Sequence, residues 1–310
     1  MTYLIGANSS ATPAGQRFKD MMRAKGIMQI PGAHNGQAAL QAKDRGFDAL
    51  YLSGAAMTAS MGLPDLGIIT IDEVCFFIRQ VVRASGLPVL VDGDTGYGET
   101  LNVMNMVRAF EDAGAAAVHI EDQVLPKKCG HLNDKKLVSP YEMAQKVAAA
   151  ARARRDMVII ARTDAAGSEG LDGAVARARL YHEAGADAIF PEALISEDMF
   201  REFSRQLPDV PLLANMTEFG RSPYFTASQF EQMGYSMVIW PVSSLRAANK
   251  AQADLYDTLA RNGSTEEMLP RMQTREELYK TLRYYEYETL DAGIVATVLP
   301  HVGQSDRSAA

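Results

Sequence analysis

Residues 100–123, TLNVMNMVRAFEDAGAAAVHIEDQ, hold the pattern that decides the fold. The first half spaces its apolar side chains at three and four, as an amphipathic helix does. Gly114 then supplies a helix stop, and AVHIEDQ (117–123) is a short apolar strand ending in acids. Working outward, the same unit recurs along the chain. Further strand cores are MQIPGAH (28–34), ALYLSG (49–54), VLVDGDTG (89–96) and VIIARTDA (158–165). AIFPEA (188–193), LLANMTE (212–218) and MVIWPVS (237–243) complete a set of eight. Ala-rich amphipathic segments lie between them, with Gly46 and Gly185 as further stops. Such alternation predicts a parallel sheet with crossover helices. An open doubly wound sheet is the competing arrangement, but no glycine-rich dinucleotide fingerprint follows the first strand, and eight units suit a (β/α)8 TIM barrel.

The chain has 310 residues, 47% hydrophobic and 22% charged, with a formal net charge of −7. One barrel domain is expected over 1–310, with residues 264–291 as a C-terminal helical extension carrying Tyr279, Tyr284, Tyr285 and Tyr287. The first 17 residues are small and polar, and the last ten look frayed. No cluster of five Lys/Arg offers a footprint for nucleic acid, and no stretch approaches the roughly eighteen apolar residues of a membrane span, so a cytoplasmic protein with a small-molecule partner is expected. The 2 cysteines cannot make a disulfide framework. Cys75 sits in VCFFI and reads as a core residue, whereas Cys129 lies in PKKCGHLNDKK, where neighbouring cations favour the thiolate.

In a barrel of this kind the strand C-termini carry the chemistry, and here they carry His34, Ser53, Asp92, Asp94, Glu121, Asp122, Arg162, Asp164, Glu192, Asn215 and Glu218. Asp92 and Asp94 are two apart on one strand, so both side chains are expected to face the same way. Asp65, in GLPDLG, and Glu121 can join them to form an all-oxygen site for magnesium or manganese. Taken alone, Asp-x-Asp reads first as a strand-end cap or a surface pair, and it is the convergence of four acids on one rim that favours the metal. Arg162, Arg246 and Arg275 match carboxylates, so a di- or tricarboxylate is the expected partner. The competing readings are an internal pair of Arg162 with Asp164 or Glu192, and a helix-surface salt bridge for Arg275. Ser53, Gly54, Asn215 and Thr217 offer neutral donors. The loop 124–139 is long enough to be a lid, and it carries Lys127, Lys128, Cys129 and His131. Its lysines also read as a solvated charge run, while Cys129 reads as a proton donor.

Several motifs, in this order, resemble the isocitrate lyase and phosphoenolpyruvate mutase superfamily, and within it the methylisocitrate lyases. They are YLSG (51–54), GLPDLG (62–67), DGDTGYG (92–98), HIEDQ (119–123), KKCGH (127–131), ARTDA (161–165), FPEA (190–193), NMTEFG (215–220) and MQTREELY (272–279). The resemblance implies that Asp92 and Asp94 hold Mg2+ with Asp65 and Glu121 close by. It places Ser53, Gly54, Ala55, Cys129, Gly130, Arg162, Glu192, Asn215, Thr217, Arg246 and Arg275 at substrate-contact positions. It further implies an acid, Cys129, delivered by a closing loop, an eighth helix swapped between subunits, and a homotetramer. The implied reaction is cleavage of (2R,3S)-2-methylisocitrate to pyruvate and succinate; Tyr51 or a metal-bound hydroxide held by Glu121 is the expected base, and His131 is a further expected catalytic residue. The alternatives are a 2,3-dimethylmalate lyase or another 2-hydroxy dicarboxylate lyase, an oxaloacetate hydrolase, and a catalytically silent binding protein. Gly93, Tyr97 and Ala55 depart from the residues common in the methylisocitrate lyases.

Overall fold

Each apolar run becomes a strand, and these strands pair with one another in parallel. The strands are β1 (Met28–Pro31), β2 (Leu50–Leu52), β3 (Val89–Asp92), β4 (Ala117–Glu121), β5 (Val158–Thr163), β6 (Ala188–Pro191), β7 (Leu213–Asn215) and β8 (Met237–Trp240). This is a computed structural model, which describes residues 3–5, 12–128, 130 and 135–302, with side chains up to 294. Strands β2 to β6 form one sheet in sequence order, and β1, β8 and β7 form another. Single bridges, Gly32 to Tyr51 and Ile189 to Leu212, join the two sheets at both edges, so the strands run in a ring as a barrel requires.

Among the described residues, twelve α-helices accompany the strands: α1 (Ala14–Arg23), α2 (Gly36–Asp44), α3 (Gly54–Ser60), α4 (Ile71–Ser85), α5 (Thr100–Asp112), α6 (Pro140–Ala153), α7 (Gly170–Glu183), α8 (Glu197–Gln206), α9 (Ala227–Gln232), α10 (Ser243–Asn262), α11 (Arg275–Leu282) and α12 (Tyr284–Val302). The predicted stops hold: Gly46, Gly114 and Gly185 adopt φ of 84°, 103° and 114° just past α2, α5 and α7, a conformation that costs a Cβ-bearing residue energy. Helix α1 begins at Ala14, within the stretch expected to be merely small and polar. Its Phe18 and Met22 are buried with Ile30, Leu90, Ile160 and Met237 in the barrel interior.

Alternation along each strand decides what enters that interior. On β3, Leu90 belongs to the inner cluster while Val89 and Val91 pack against the helices; on β5, Val158 and Ile160 point in while Ile159 and Ala161 point out. Continuing the count by two reaches Asp92, His119 with Glu121, and Arg162. The inner file therefore changes from apolar to charged at one end of the ring.

Two compact units are distinguished, Ala11–Ala251, which contains all eight strands, and Met1–Ser10 with Gln252–Ala310. Within the second, a capping box of Thr274 and Glu277 starts α11, and the rings of Tyr279 and Tyr284 stack 4.4 Å apart. Among the described residues, no helix is long and apolar enough to cross a membrane.

Candidate active site

The charged ends of the inner file open into a cavity of about 110 Å3. Of the predicted residues, Tyr51, Ser53, Ala55, Asp65 and Asp92 line it from the first strands. Gly130, Arg162, Glu192, Asn215, Thr217 and Arg246 line it from the loop and the later strands. Phe190, Ile239, Pro241 and Val242 make one wall apolar. Arg275 lies in the other unit, exposed, in the first turn of α11. Cys129 and His131 lie outside the described residues.

Asp92 and Asp94 come together, but not for the reason expected. β3 ends at Asp92, and Asp94 takes φ 45° in the following turn, so strand alternation does not aim it. The turn folds it back: its N–H donates to Asp92 Oδ1 at 3.1 Å. The N–H of Gly54, at the start of α3, donates to Asp92 Oδ2 at 3.1 Å. A Cβ on Gly54 would lie 2.9 Å from Asp92 Oδ2 and 3.4 Å from Asp94 Oδ1, so the two carboxylates crowd onto a position that only glycine leaves open. Between the acids stands Lys127. Its Nζ is 2.6 Å from Asp94 Oδ1 and 2.7 Å from Asp65 Oδ1. Lys127 is buried, which corrects its reading as part of a solvated charge run.

Charge crowding splits the two aspartates. Burial raises Asp94 to about 6, with Lys127 opposing and Asp92 and Asp65 reinforcing the shift. Burial also opposes ionisation of Asp92, but His119, Lys127 and Arg162 together hold it well below the usual carboxylate range. Burial likewise pushes Glu121 up, and neither of its carboxylate oxygens has a hydrogen-bond partner. Among the described residues, no three His, Cys, Asp or Glu side chains converge as a finished metal cage. The donor chemistry nevertheless fits a hard divalent ion. Both oxygens of Glu121 are buried carboxylate acceptors without a hydrogen bond, and the Oδ1 atoms of Asp65 and Asp94 are buried acceptors that share the Lys127 ammonium as their cation.

One residue in contact with the site escaped the sequence reading. His119 is fully buried, its Nε2 2.7 Å from the Tyr51 hydroxyl and 3.6 Å from Asp92 Oδ1. It sits two residues before Glu121 on β4, so the alternation that pointed Glu121 inward marks His119 as well. Burial lowers its pKa to about 4 and raises that of Tyr51 well above 10, so the pair is neutral near pH 7, with Tyr51 keeping its proton.

Arg162 has the internal partners that were the alternative to ligand binding, and it faces the cavity as well. Its Nε and an Nη donate to the two oxygens of Asp164 at 2.9 and 3.1 Å, while Glu121 and Glu192 lie at 3.3 and 3.4 Å. Its guanidinium also stands over the Phe190 ring, 5.2 Å from the centroid. Arg246 is exposed and donates to the Glu218 carboxylate at 2.9 Å.

The loop after β4 is pinned at its base. Gln123 bridges Leu137, Val124 N–H donates to the Lys136 carbonyl at 2.8 Å, and the Gln123 amide holds both the N–H and the carbonyl of Lys128. At Gly130 the backbone presses on the site: a Cβ there would meet Glu192 Cγ at 2.2 Å and an Arg162 Nη at 2.6 Å.

Comparison with known proteins agrees with this construction. A family model described as phosphoenolpyruvate phosphomutase matches residues 18–260. The chain is 55% identical to the 2-methylisocitrate lyase of Bacillus subtilis strain 168, covering 97% of this chain and 99% of that protein. It is 52% identical to the 2-methylisocitrate lyase of Halalkalibacterium halodurans, covering 96% and 99%. Among solved structures, 2,3-dimethylmalate lyase, a PEP mutase/isocitrate lyase superfamily member, superposes with TM-score 0.86 at 34% identity, covering 92% and 96%. Phosphonopyruvate hydrolase in complex with oxalate and Mg2+ superposes with TM-score 0.82 at 28% identity, covering 91% and 99%.

Proposed function

Because the chain belongs to the phosphoenolpyruvate phosphomutase family, we propose that it is a carbon–carbon lyase that splits (2R,3S)-2-methylisocitrate into pyruvate and succinate. The observation that carries this reading is the make-up of one cavity: buried acids and Arg162 at one side, Arg246 at another, and an apolar wall of Phe190, Ile239 and Val242. That combination suits a small polycarboxylate with an alkyl branch.

Asp92 and Asp94, with Asp65 and Glu121 beside them, are the residues that would hold Mg2+ or Mn2+. When bound, the ion polarises the 2-hydroxy acid. The remaining chemistry belongs to the side chains. The substrate 2-hydroxyl gives its proton to the Tyr51 oxygen as Tyr51 passes its own to His119 Nε2, so no free phenolate forms. The hydroxyl oxygen becomes the carbonyl of pyruvate, and the C2–C3 electron pair moves to C3 as the aci-carboxylate of succinate. Arg162 and Arg246 hold the carboxylates and oppose the growing charge. Cys129 then delivers its thiol proton to C3. Glu192, Asn215, Ser53 and Thr217 orient the ligand. Assembly as a cytoplasmic homotetramer belongs to the same proposal.

The test is a coupled assay of pyruvate release from methylisocitrate, beside 2,3-dimethylmalate and oxaloacetate. Methylisocitrate should exceed both in kcat/KM by about 100-fold, the scale of methyl and carboxylate discrimination. A higher value for 2,3-dimethylmalate, or oxalate from oxaloacetate as the fastest product, removes the assignment.

A further inference from the structure

One buried polar network has no part in the proposed reaction, and the three residues at its heart, Arg177, Asp122 and Tyr181, do not line the cavity. Its centre is Arg177, on the outer helix α7 and only 4% exposed. Its Nε and Nη2 donate to the two oxygens of Glu169 at 2.8 and 2.6 Å. Its Nη1 donates to the Val138 carbonyl and the Tyr181 hydroxyl at 3.0 Å each and lies 3.3 Å from Asp122 Oδ2. Asp122 is fully buried and accepts from Tyr181, from the Thr163 hydroxyl and from the Asp164 N–H at 2.9, 2.8 and 2.9 Å. Its carbonyl accepts from Val138 N–H at 3.0 Å.

Two things meet in this network. Asp122 and Val138 are the feet of the loop that follows β4. Asp164 is the carboxylate that grips Arg162, and Lys135, from the same loop, donates both to Asp164 at 2.7 Å and to the Gly130 carbonyl at 2.6 Å. A buried guanidinium with a partner at each of its three nitrogens is costly to assemble and is rigid once satisfied. Nothing about holding α7 against the barrel requires it, since Ala174, Val175 and Ala178 of that helix already pack in the apolar core.

We propose that Arg177, Asp122 and Tyr181 are positioning residues: they fix both feet of the loop and, through Asp164, the aim of the Arg162 guanidinium. The kinetic part of this inference rests on the lyase reading of the cavity; the part about the loop does not.

Arg177→Met and Tyr181→Phe separate the possibilities, with far-UV circular dichroism confirming the fold. The first readout is trypsin nicking inside the loop, after Lys128 or Lys136, followed by mass spectrometry. The second is kcat and KM for pyruvate release. Arg177→Met should be nicked in the loop about 10-fold faster with cleavage elsewhere unchanged, and should lose about 10-fold or more in kcat with KM within about 3-fold, since misplaced groups cost turnover rather than capture. Tyr181→Phe should shift both readouts in the same direction by less. A folded variant with wild-type nicking and wild-type kcat overturns the proposal, as does a kcat loss accompanied by nicking throughout the chain. If Arg177→Met does not fold, the same criteria applied to Tyr181→Phe decide. If the wild-type protein releases no pyruvate, the lyase reading falls and the nicking comparison alone decides the positioning role.

Discussion

At the ends of β2 to β6, the charged groups of the rim are buried and tied to one another; at the ends of β7 and β8 they stand open. Arg162 meets three carboxylates, Asp164, Glu121 and Glu192, and its side chain is 9% exposed. Arg246 has the Glu218 side chain as its one carboxylate partner in the described contacts and is 42% exposed, with Phe219 beside it almost wholly in solvent. The same residue type therefore does two jobs. In the dry half, the orientation of each dipole is set before any ligand arrives, and its effect on a developing charge is correspondingly large. In the wet half, an exposed ion pair is worth about 1 kcal/mol or less and yields readily to an incoming carboxylate.

The largest test of this contrast is Arg162→Met. It strands buried carboxylates, so stability in urea should fall by about 3–5 kcal/mol and kcat/KM by about 1000-fold. Next comes Cys129→Ser, which should lower kcat about 100-fold while leaving KM near its starting value, as loss of a general acid does. Gly130→Ala follows. Glu192 is held by the Ala193 N–H and the Asn215 amide, so it cannot yield to the new methyl group, and the loop must lift. Here kcat should drop about 10-fold or more with unfolding unchanged. The smallest effect belongs to Arg246→Met, with KM raised about 10-fold, or about 1.4 kcal/mol, and stability within about 0.5 kcal/mol. An unfolding cost for Arg246→Met equal to that for Arg162→Met would erase the distinction between the halves.

The strands were legible because they are short apolar runs, most of them apolar on both faces, with exposed Gln29 of β1 an exception, and the rim was legible because alternation by two carries the inward file on to Asp92, Glu121, Arg162 and Glu192. Three features needed the third dimension. Asp94 reaches its place through a turn with φ 45°, which no alternation rule describes. Lys127 belongs to a polar loop by sequence, and what buries it are Asp65 and Asp94, brought from elsewhere in the chain. His119 carried a usable signal, its spacing from Glu121, but a lone histidine in a strand reads first as core. Gly93, noted as a departure from the family pattern, has a packing reason. A Cβ there would lie 2.7 Å from the His119 carbonyl, whose oxygen accepts the Gly93 N–H at 2.9 Å, so β3 and β4 are drawn together where the acids begin.

The ring of strands also has an order in time. β1 is paired with β8 over four residues, Met28 opposite Met237 through Pro31 opposite Trp240, whereas a single bridge ties it to β2. A nascent chain leaving the ribosome thus completes the five neighbouring strands β2 to β6 while the first waits for the last to be synthesised. Until then that sheet has two bare edges, and the contacts that close the ring, being the most distant in sequence, are the slowest to form and the ones a chaperone would most usefully shield.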